Sequence, residues 1–90
     1  MAVKITLPSI YSSLIGDKKT VEVEGKNTGE CLDALVGFNP RLKEELFDKR
    51  GELKTWIELY VNNRSIYPKE LDYPVKDGDE IHIIIFLSGG

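Results

Sequence analysis

Apolar and polar residues alternate along several short stretches of this 90-residue chain, and a period of two is typical of half-buried β-strands. These stretches end at Pro8, at Gly25 and at the pair Asn62-Asn63, which are residue types that interrupt strands or form turns. The stretch from Ile81 to Leu87 is almost entirely apolar and rich in β-branched residues, which predicts a strand at the centre of a sheet. The predicted strands are residues 2–7, 20–24, 56–61 and 81–87, with a short edge strand at 65–67.

Two helices are predicted between the second and third strands. The segment Asn27-Thr28-Gly29-Glu30 is typical of a helix start, because either of its first two side chains can cap free backbone amides and Glu30 suits the positive first turn. Gly37 is a natural stop, and Asn39-Pro40 begins a second, shorter helix. The apolar stripes are Cys31, Leu32, Leu35 and Val36 in the first helix and Leu42, Leu46 and Phe47 in the second. Residues 9–17 and 77–79 are predicted to be loops or turns.

The order of these elements predicts the fold class. A hairpin, a helix that crosses the sheet and then two or three further strands, with the last strand beside the first, is the α+β arrangement called the β-grasp or ubiquitin-like fold. We expect a mixed sheet of four or five strands packed on one main helix and one short helix. Residues 1–90 are expected to form a single domain with a flexible C-terminal tail at residues 87–90.

Composition narrows the class of protein. Apolar residues make up 41% and charged residues 30%, which is ordinary for a globular domain. The net charge of −3 argues against a nucleic-acid partner, which usually selects a basic excess. No apolar run approaches the roughly 18–20 residues that span a bilayer, and no signal peptide is apparent, so we expect a cytoplasmic protein without a membrane partner.

The chemistry-bearing side chains do not form a catalytic set. Cys31 lies on the apolar helix stripe and is predicted to be a buried thiol, and His82 is the only histidine. Asp77 and Asp79 lack the remaining ligands of a calcium loop, and the chain has no glycine-rich phosphate loop. We therefore expect no enzyme active site, no bound cofactor and no metal.

The segment Leu87-Ser88-Gly89-Gly90 follows the predicted central strand directly. Because glycine has no Cβ, such a segment can thread a narrow channel, and no side chain hinders attack on an activated Gly90 carboxyl group. A frayed terminus is the alternative interpretation. We interpret the Gly90 carboxyl group as the reactive group and Gly89 as a residue that leaves the approach to it open. Leu87 and Ser88 are expected to contact a partner.

Alternation also predicts a partner-binding face. If Ile81, Ile83 and Ile85 point into the core, then His82, Ile84 and Phe86 point outward, where Tyr60 of the neighbouring strand joins them. An exposed Ile84–Phe86–Tyr60 surface would be an apolar docking site, with Glu58, Lys4 or Thr6 at its margin. The alternative is that a loop covers Ile84 and Phe86.

The whole chain resembles the bacterial and archaeal sulfur-carrier proteins of the ubiquitin-like superfamily. This family includes the small subunit of molybdopterin synthase, the thiamine-thiazole sulfur carrier and the carrier of a cysteine-biosynthesis route. The start, with Leu7-Pro8-Ser9-Ile10, is most similar to the cysteine-route carrier, whereas Ile85-Phe86-Leu87 replaces the proline that many molybdopterin-type members have before the tail. The matching segments are residues 3–8, 28–35, 57–63 and 77–81 and the terminal Gly89-Gly90.

The resemblance implies a mechanism and three partners. An adenylating enzyme of the ubiquitin-activating type would use ATP to activate the Gly90 carboxylate. A sulfur donor, either a cysteine desulfurase or a rhodanese-type protein, would convert it to a thiocarboxylate, and a synthase would receive the sulfide. Two other interpretations stay open: a ubiquitin-like protein modifier joined to lysine amines through Gly90, and a passive β-grasp interaction domain.

Overall fold

A computed structural model describes residues 2–86 of the chain. Its strands and helices occur in the order that the sequence predicts, with one addition after the first strand. The elements are β1 (Ala2–Thr6), a 3-10 helix (Ser9–Ile15), β2 (Thr20–Glu24), α1 (Thr28–Val36), α2 (Arg41–Leu46), β3 (Ile57–Val61), β4 (Arg64–Ser65) and β5 (Glu80–Ile85).

The five strands form one mixed sheet in the order β2-β1-β5-β3-β4. β5 lies at the centre, parallel to β1 and antiparallel to β3, while the β1–β2 and β3–β4 pairs are antiparallel. Helices α1 and α2 and the apolar side of the sheet share one hydrophobic core, in which Ile5, Leu32, Leu35, Leu59 and Ile81 are fully buried. The predicted β-grasp fold and the central position of the last strand are confirmed.

The predicted loop over residues 9–17 was wrong in its first part, because Ser9–Ile15 form a 3-10 helix. Tyr11 and Ile15 are buried and Leu14 packs against the core, so three apolar residues at helical spacing cover part of the core. The sequence predicts a loop here because serines, such as those at positions 12 and 13, are typical of turns. The helix ends at Gly16, whose φ of 75° lies in the left-handed region that glycine adopts without strain.

Two predicted features at the start of α1 and after β3 are confirmed. Asn27 caps α1, since its Oδ1 accepts a hydrogen bond of 2.8 Å from the backbone N–H of Glu30. Asn62 and Asn63 have φ values of 50° and 71° and form the tight turn between β3 and β4. The predicted edge strand at 65–67 is shorter and lies earlier, at Arg64–Ser65. β5 begins one residue earlier than predicted and ends at Ile85, so Phe86 lies just beyond it.

The segment between β4 and β5 is fixed against the N-terminus of α1. Thr28 donates its backbone N–H to the carbonyl of Tyr73 and its hydroxyl to the carbonyl of Glu70, and Gly29 N–H donates to the carbonyl of Leu71. These bonds satisfy amides that a helix N-terminus leaves free. They also fix the backbone of Glu70, whose carbonyl accepts the hydrogen bond from the Thr28 hydroxyl. Among residues 2–86, no helix is long and apolar enough to cross a membrane.

Candidate functional site

The sheet face opposite the helices carries an exposed apolar patch, which consists of Tyr60, Ile84 and Phe86. Ile84 is 37% exposed and Phe86 50%, and Tyr60 is half-buried. No loop within residues 2–86 covers them, so the predicted outward orientation is confirmed. Large apolar side chains that gather on an open face at the end of a central strand form a surface suited to binding another protein.

Strand pairing explains why these side chains share one face. Ile81 and Ile83 of β5 are buried and alternate with His82 and Ile84, and in β3 the buried Ile57, Leu59 and Val61 alternate with Glu58 and Tyr60. The antiparallel register places His82 opposite Tyr60 and Ile84 opposite Glu58. The hydrophobic core therefore fixes the phase of both strands and leaves this row of side chains facing outward.

The face changes from charged to apolar along β5. At one end Lys4 of β1 pairs in register with Glu80, and His82 is half-buried with its Nε2 atom 3.7 Å from Glu80 Oε1. Thr6 lies opposite His82 and shares a 3.0 Å hydroxyl hydrogen bond with Thr20. At the other end lie Ile84 and Phe86. The predicted site residues His82, Ile84, Phe86 and Tyr60 are thus together on one surface.

A cleft opens next to the apolar end of this face, at the side of the sheet formed by β3 and β4. Sequence reasoning missed it, because most of its lining comes from loops that have no periodic pattern. Its lining includes Lys54, Glu58, Ser65, Tyr67, Glu70 and Phe86. Phe86 belongs to both the apolar patch and the cleft. Of the residues that line the cleft, alternation in the sequence placed only Glu58 and Phe86 on the outward face of their strands.

Cys31 is fully buried, as predicted, and burial together with the negative charge of Glu30 raises the pKa of its thiol. A thiol that is inaccessible and stays protonated is neither a nucleophile nor a metal ligand. Within residues 2–86, no cluster of three or more histidine, cysteine, aspartate or glutamate side chains could hold a metal ion. Asp79 acts as a turn residue, since it accepts hydrogen bonds from the Asn62 side chain and the Lys76 N–H.

The predicted reactive tail falls outside the described residues. Leu87, Ser88, Gly89 and Gly90 therefore keep the roles that the sequence predicts for them, as predictions. The structure describes the covalent neighbour of this segment, Phe86, whose backbone N–H donates a 2.7 Å hydrogen bond to the carbonyl of Trp56. The chain therefore enters the predicted tail from a fixed point beside the apolar patch and the cleft.

The fold and the open apolar face define a β-grasp protein of the ubiquitin-like class. The sequence matches the model of the ThiS family over residues 5–90, a match that includes Gly89 and Gly90. The chain belongs to the ThiS family of ubiquitin-like sulfur carrier proteins, whose members are carriers rather than catalysts.

Individual relatives agree with this assignment. Sulfur carrier protein CysO of Mycobacterium tuberculosis is 27% identical over 93 residues, with both chains covered completely. Small archaeal modifier protein 1 of Haloferax volcanii is 37% identical over 71 residues, which is 78% of each chain. Among solved structures, a chain of the Amycolatopsis orientalis BexX/CysO complex superposes with a TM-score of 0.88 at 30% identity, covering 99% of this chain and all of that one.

Proposed function

We propose that this protein carries sulfur as a thiocarboxylate on the carboxyl group of Gly90. The observation that supports the proposal is the family match, which runs through Gly89 and Gly90. In the sequence these glycines follow soon after Phe86, which belongs to an exposed apolar face suited to a protein partner. The proposal requires Gly90 to be the last residue of the mature protein. Its carboxylate would then be the only reactive group that the chain needs to supply.

The chemistry follows from the state of that carboxylate. At neutral pH it is ionised and a poor electrophile, so it first needs activation. On an adenylating enzyme of the ubiquitin-activating type, the carboxylate oxygen attacks the α-phosphorus of ATP, and pyrophosphate leaves. The terminal sulfur of a persulfide on a cysteine desulfurase or rhodanese-type donor then attacks the acyl carbon, and AMP leaves. A second thiol reduces the resulting acyl disulfide, so that the thiocarboxylate is released and the two thiols are left as a disulfide. ATP binds to the partner in this scheme, and the carrier itself holds no cofactor.

Partner proteins would bind to the open face of the sheet, opposite the helices. Tyr60, Ile84 and Phe86 supply apolar contact area, His82 supplies a polar margin, and Leu87 and Ser88 extend the contact towards the glycines. The TM-score of 0.88 to a chain from a two-protein BexX/CysO complex supports a protein partner for this chain also. A synthase would act as the final acceptor, and the resemblance of the N-terminal segment together with the CysO relatives favours a route to cysteine over molybdopterin or thiamine.

Conjugation to proteins is a second candidate function. The 37% identity to small archaeal modifier protein 1 favours it, and it uses the same activated Gly90 carboxyl group. The two functions differ in the nucleophile that attacks the activated carboxyl group, which is a donor's persulfide sulfur in one and a lysine amine in the other.

Mass spectrometry of the protein purified from its native cells tests both functions. A carrier is expected to show a C-terminal peptide ending at Gly90, in which part of the population has one oxygen replaced by sulfur. A modifier is expected to leave Gly-Gly remnants on lysines of other proteins when a Ser88→Arg variant is conjugated and then digested with trypsin, which cleaves after lysine and arginine. A peptide that continues past Gly90 in the mature protein would overturn both functions.

A further inference from the structure

The cleft beside Phe86 contains two carboxylates. Glu58 is half-buried on β3 and accepts a hydrogen bond from the Ser65 hydroxyl of β4. Glu70 is half-buried in the segment that Thr28 holds against α1, where the Thr28 hydroxyl lies 2.7 Å from the Glu70 carbonyl oxygen. Both side chains line the same cleft because β3 and this segment are independently fixed to the core.

These two carboxylates have no cationic partner among residues 2–86. No lysine, arginine or histidine in that part of the chain forms an ion pair with Glu58 or Glu70. Lys54 also lines the cleft, but its Nζ lies over the Trp56 ring, 5.4 Å from the ring centre. Burial, and then repulsion by Glu58, raise the pKa of Glu70. The ionised form of Glu70 is therefore destabilised in the cleft, and a cation bound beside it would stabilise it.

Aromatic side chains form other parts of the cleft wall. Phe86 is 50% exposed and Tyr67 71%, although both are large and largely apolar. A guanidinium group is planar, stacks on aromatic rings and can donate paired hydrogen bonds to carboxylates. An arginine side chain can therefore bind the carboxylates and stack on the aromatic rings of the cleft at the same time.

We propose that this cleft receives an arginine side chain of the partner protein that handles the Gly90 carboxyl group. The inference rests on the proposed function, and it identifies the chemistry of the partner surface beside the apolar patch. Phe86 links the two areas, because it belongs to the patch and to the cleft and is bonded to the first residue of the predicted tail. An arginine in the cleft would fix the orientation of the carrier on its partner, whereas the apolar patch supplies contact area.

The test compares two full-length double variants that each remove two negative charges. In Glu58→Gln/Glu70→Gln both carboxylates of the cleft become neutral amides of similar shape. In the control, Asp33→Asn/Glu44→Gln, the changed residues are exposed on α1 and α2, in the helix layer. The adenylating enzyme that supports ATP–pyrophosphate exchange with the wild-type chain is the probe, and its dissociation constant is measured by calorimetry at low and high salt. Urea unfolding checks that each variant folds. If the double variant in the cleft does not fold, the single variant Glu70→Gln replaces it in the binding measurement.

The cleft variant is expected to bind about tenfold more weakly than the wild-type chain at low salt, with the difference shrinking at high salt. The control is expected to bind as the wild type does. Equal affinity of the cleft variant and the wild type would overturn the proposal, as would equal losses in both variants, which would reveal only long-range charge attraction. If no adenylating enzyme of the source organism gives exchange with the wild-type chain, the proposed function fails and the cleft proposal fails with it.

Discussion

Phe86 is tied to Trp56 by a 2.7 Å hydrogen bond from its backbone N–H to the Trp56 carbonyl oxygen. The bond continues the antiparallel β3–β5 pairing one step beyond the last register pair, Ile57 with Ile85. It fixes the backbone of Phe86 although half of its side chain is exposed. The main chain at this position is therefore held by the sheet, while the side chain is available to a partner.

Changing the apolar patch is expected to affect association more than folding. Phe86→Asp and Ile84→Lys each replace an exposed apolar group with a charged one. The charge would lose its hydration when the partner covers the patch, which disfavours binding. We expect about a tenfold or greater loss of affinity for the adenylating enzyme and a change of less than about 1 kcal/mol in the free energy of unfolding. Calorimetric titration and urea unfolding measure the two quantities.

Phe38→Asp is the matched control for Phe86→Asp. Phe38 follows α1 in the helix layer and is 54% exposed, so it has similar exposure on a different surface. Its variant is expected to retain wild-type affinity. If Phe86→Asp unfolds the protein, or if Phe38→Asp weakens binding equally, the assignment of the patch as the docking surface is wrong.

Changing the length of the tail is expected to abolish charging without affecting the core. Deletion of Gly90, or addition of one residue after it, moves the carboxyl group by one residue from the position at which it would be activated. All buried hydrophobic residues among the described ones lie between Val3 and Ile83. We therefore expect ATP–pyrophosphate exchange to be lost while the melting temperature changes by less than about 2 °C. A large fall in melting temperature would contradict the interpretation of residues 87–90 as a tail outside the core.

Sequence reasoning succeeded where a repeating pattern and the core constrain each other. Alternation in residues 57–61 and 81–85 was enough to predict which side of each strand is buried, because a slip of one residue would expose Leu59 and Ile83. The α1 cap was also predictable, since Asn27 and Glu30 have the spacing that helix N-termini use.

The rest depended on contacts between distant segments. The 3-10 helix at Ser9–Ile15 is stabilised by burial of Tyr11 and Ile15, whereas its serines are typical of a turn. The cleft depends on Glu70, whose position is set by bonds from Thr28 and Gly29 to a segment about 40 residues later, and no local pattern encodes such bonds. The sequence did contain both acidic residues, but it gave no reason to place them together.

Asp79 is expected to stabilise the fold by joining two turns. Its carboxylate accepts hydrogen bonds of 3.0 Å from the Asn62 side-chain amide and 2.9 Å from the Lys76 N–H. Asp79→Ala leaves both donors without this acceptor, so we expect a loss of about 1–3 kcal/mol in the free energy of unfolding at neutral pH. Asp72→Ala, at an exposed aspartate in the preceding loop, is the control and is expected to change stability little. Equal stability of the two variants in urea unfolding would refute this role.

The same aspartate predicts a direction of pH dependence. The hydrogen bonds from Asn62 and then Lys76 lower the pKa of Asp79 in the folded protein. Its contribution is therefore complete above the ordinary aspartate pKa of about 3.9 and is lost as the pH falls through the lower folded-state value. The stability difference between wild type and Asp79→Ala should narrow as the pH falls below about 4. A difference that grows in acid would contradict the sign of this shift.

The cap of α1 is expected to contribute measurably to stability because it satisfies two backbone donors at once. Asn27 Oδ1 accepts from Glu30 N–H at 2.8 Å, and Glu30 Oε1 accepts from Lys26 N–H at 2.9 Å, so each side chain bonds the backbone near the other. Asn27→Ala is expected to lower the free energy of unfolding by about 1 kcal/mol, whereas Asn27→Asp keeps an acceptor oxygen and should retain most of it. Urea unfolding of the two variants distinguishes loss of the acceptor from loss of side-chain volume, and equal destabilisation by alanine and aspartate would show that the Oδ1 hydrogen bond is not what stabilises the helix start.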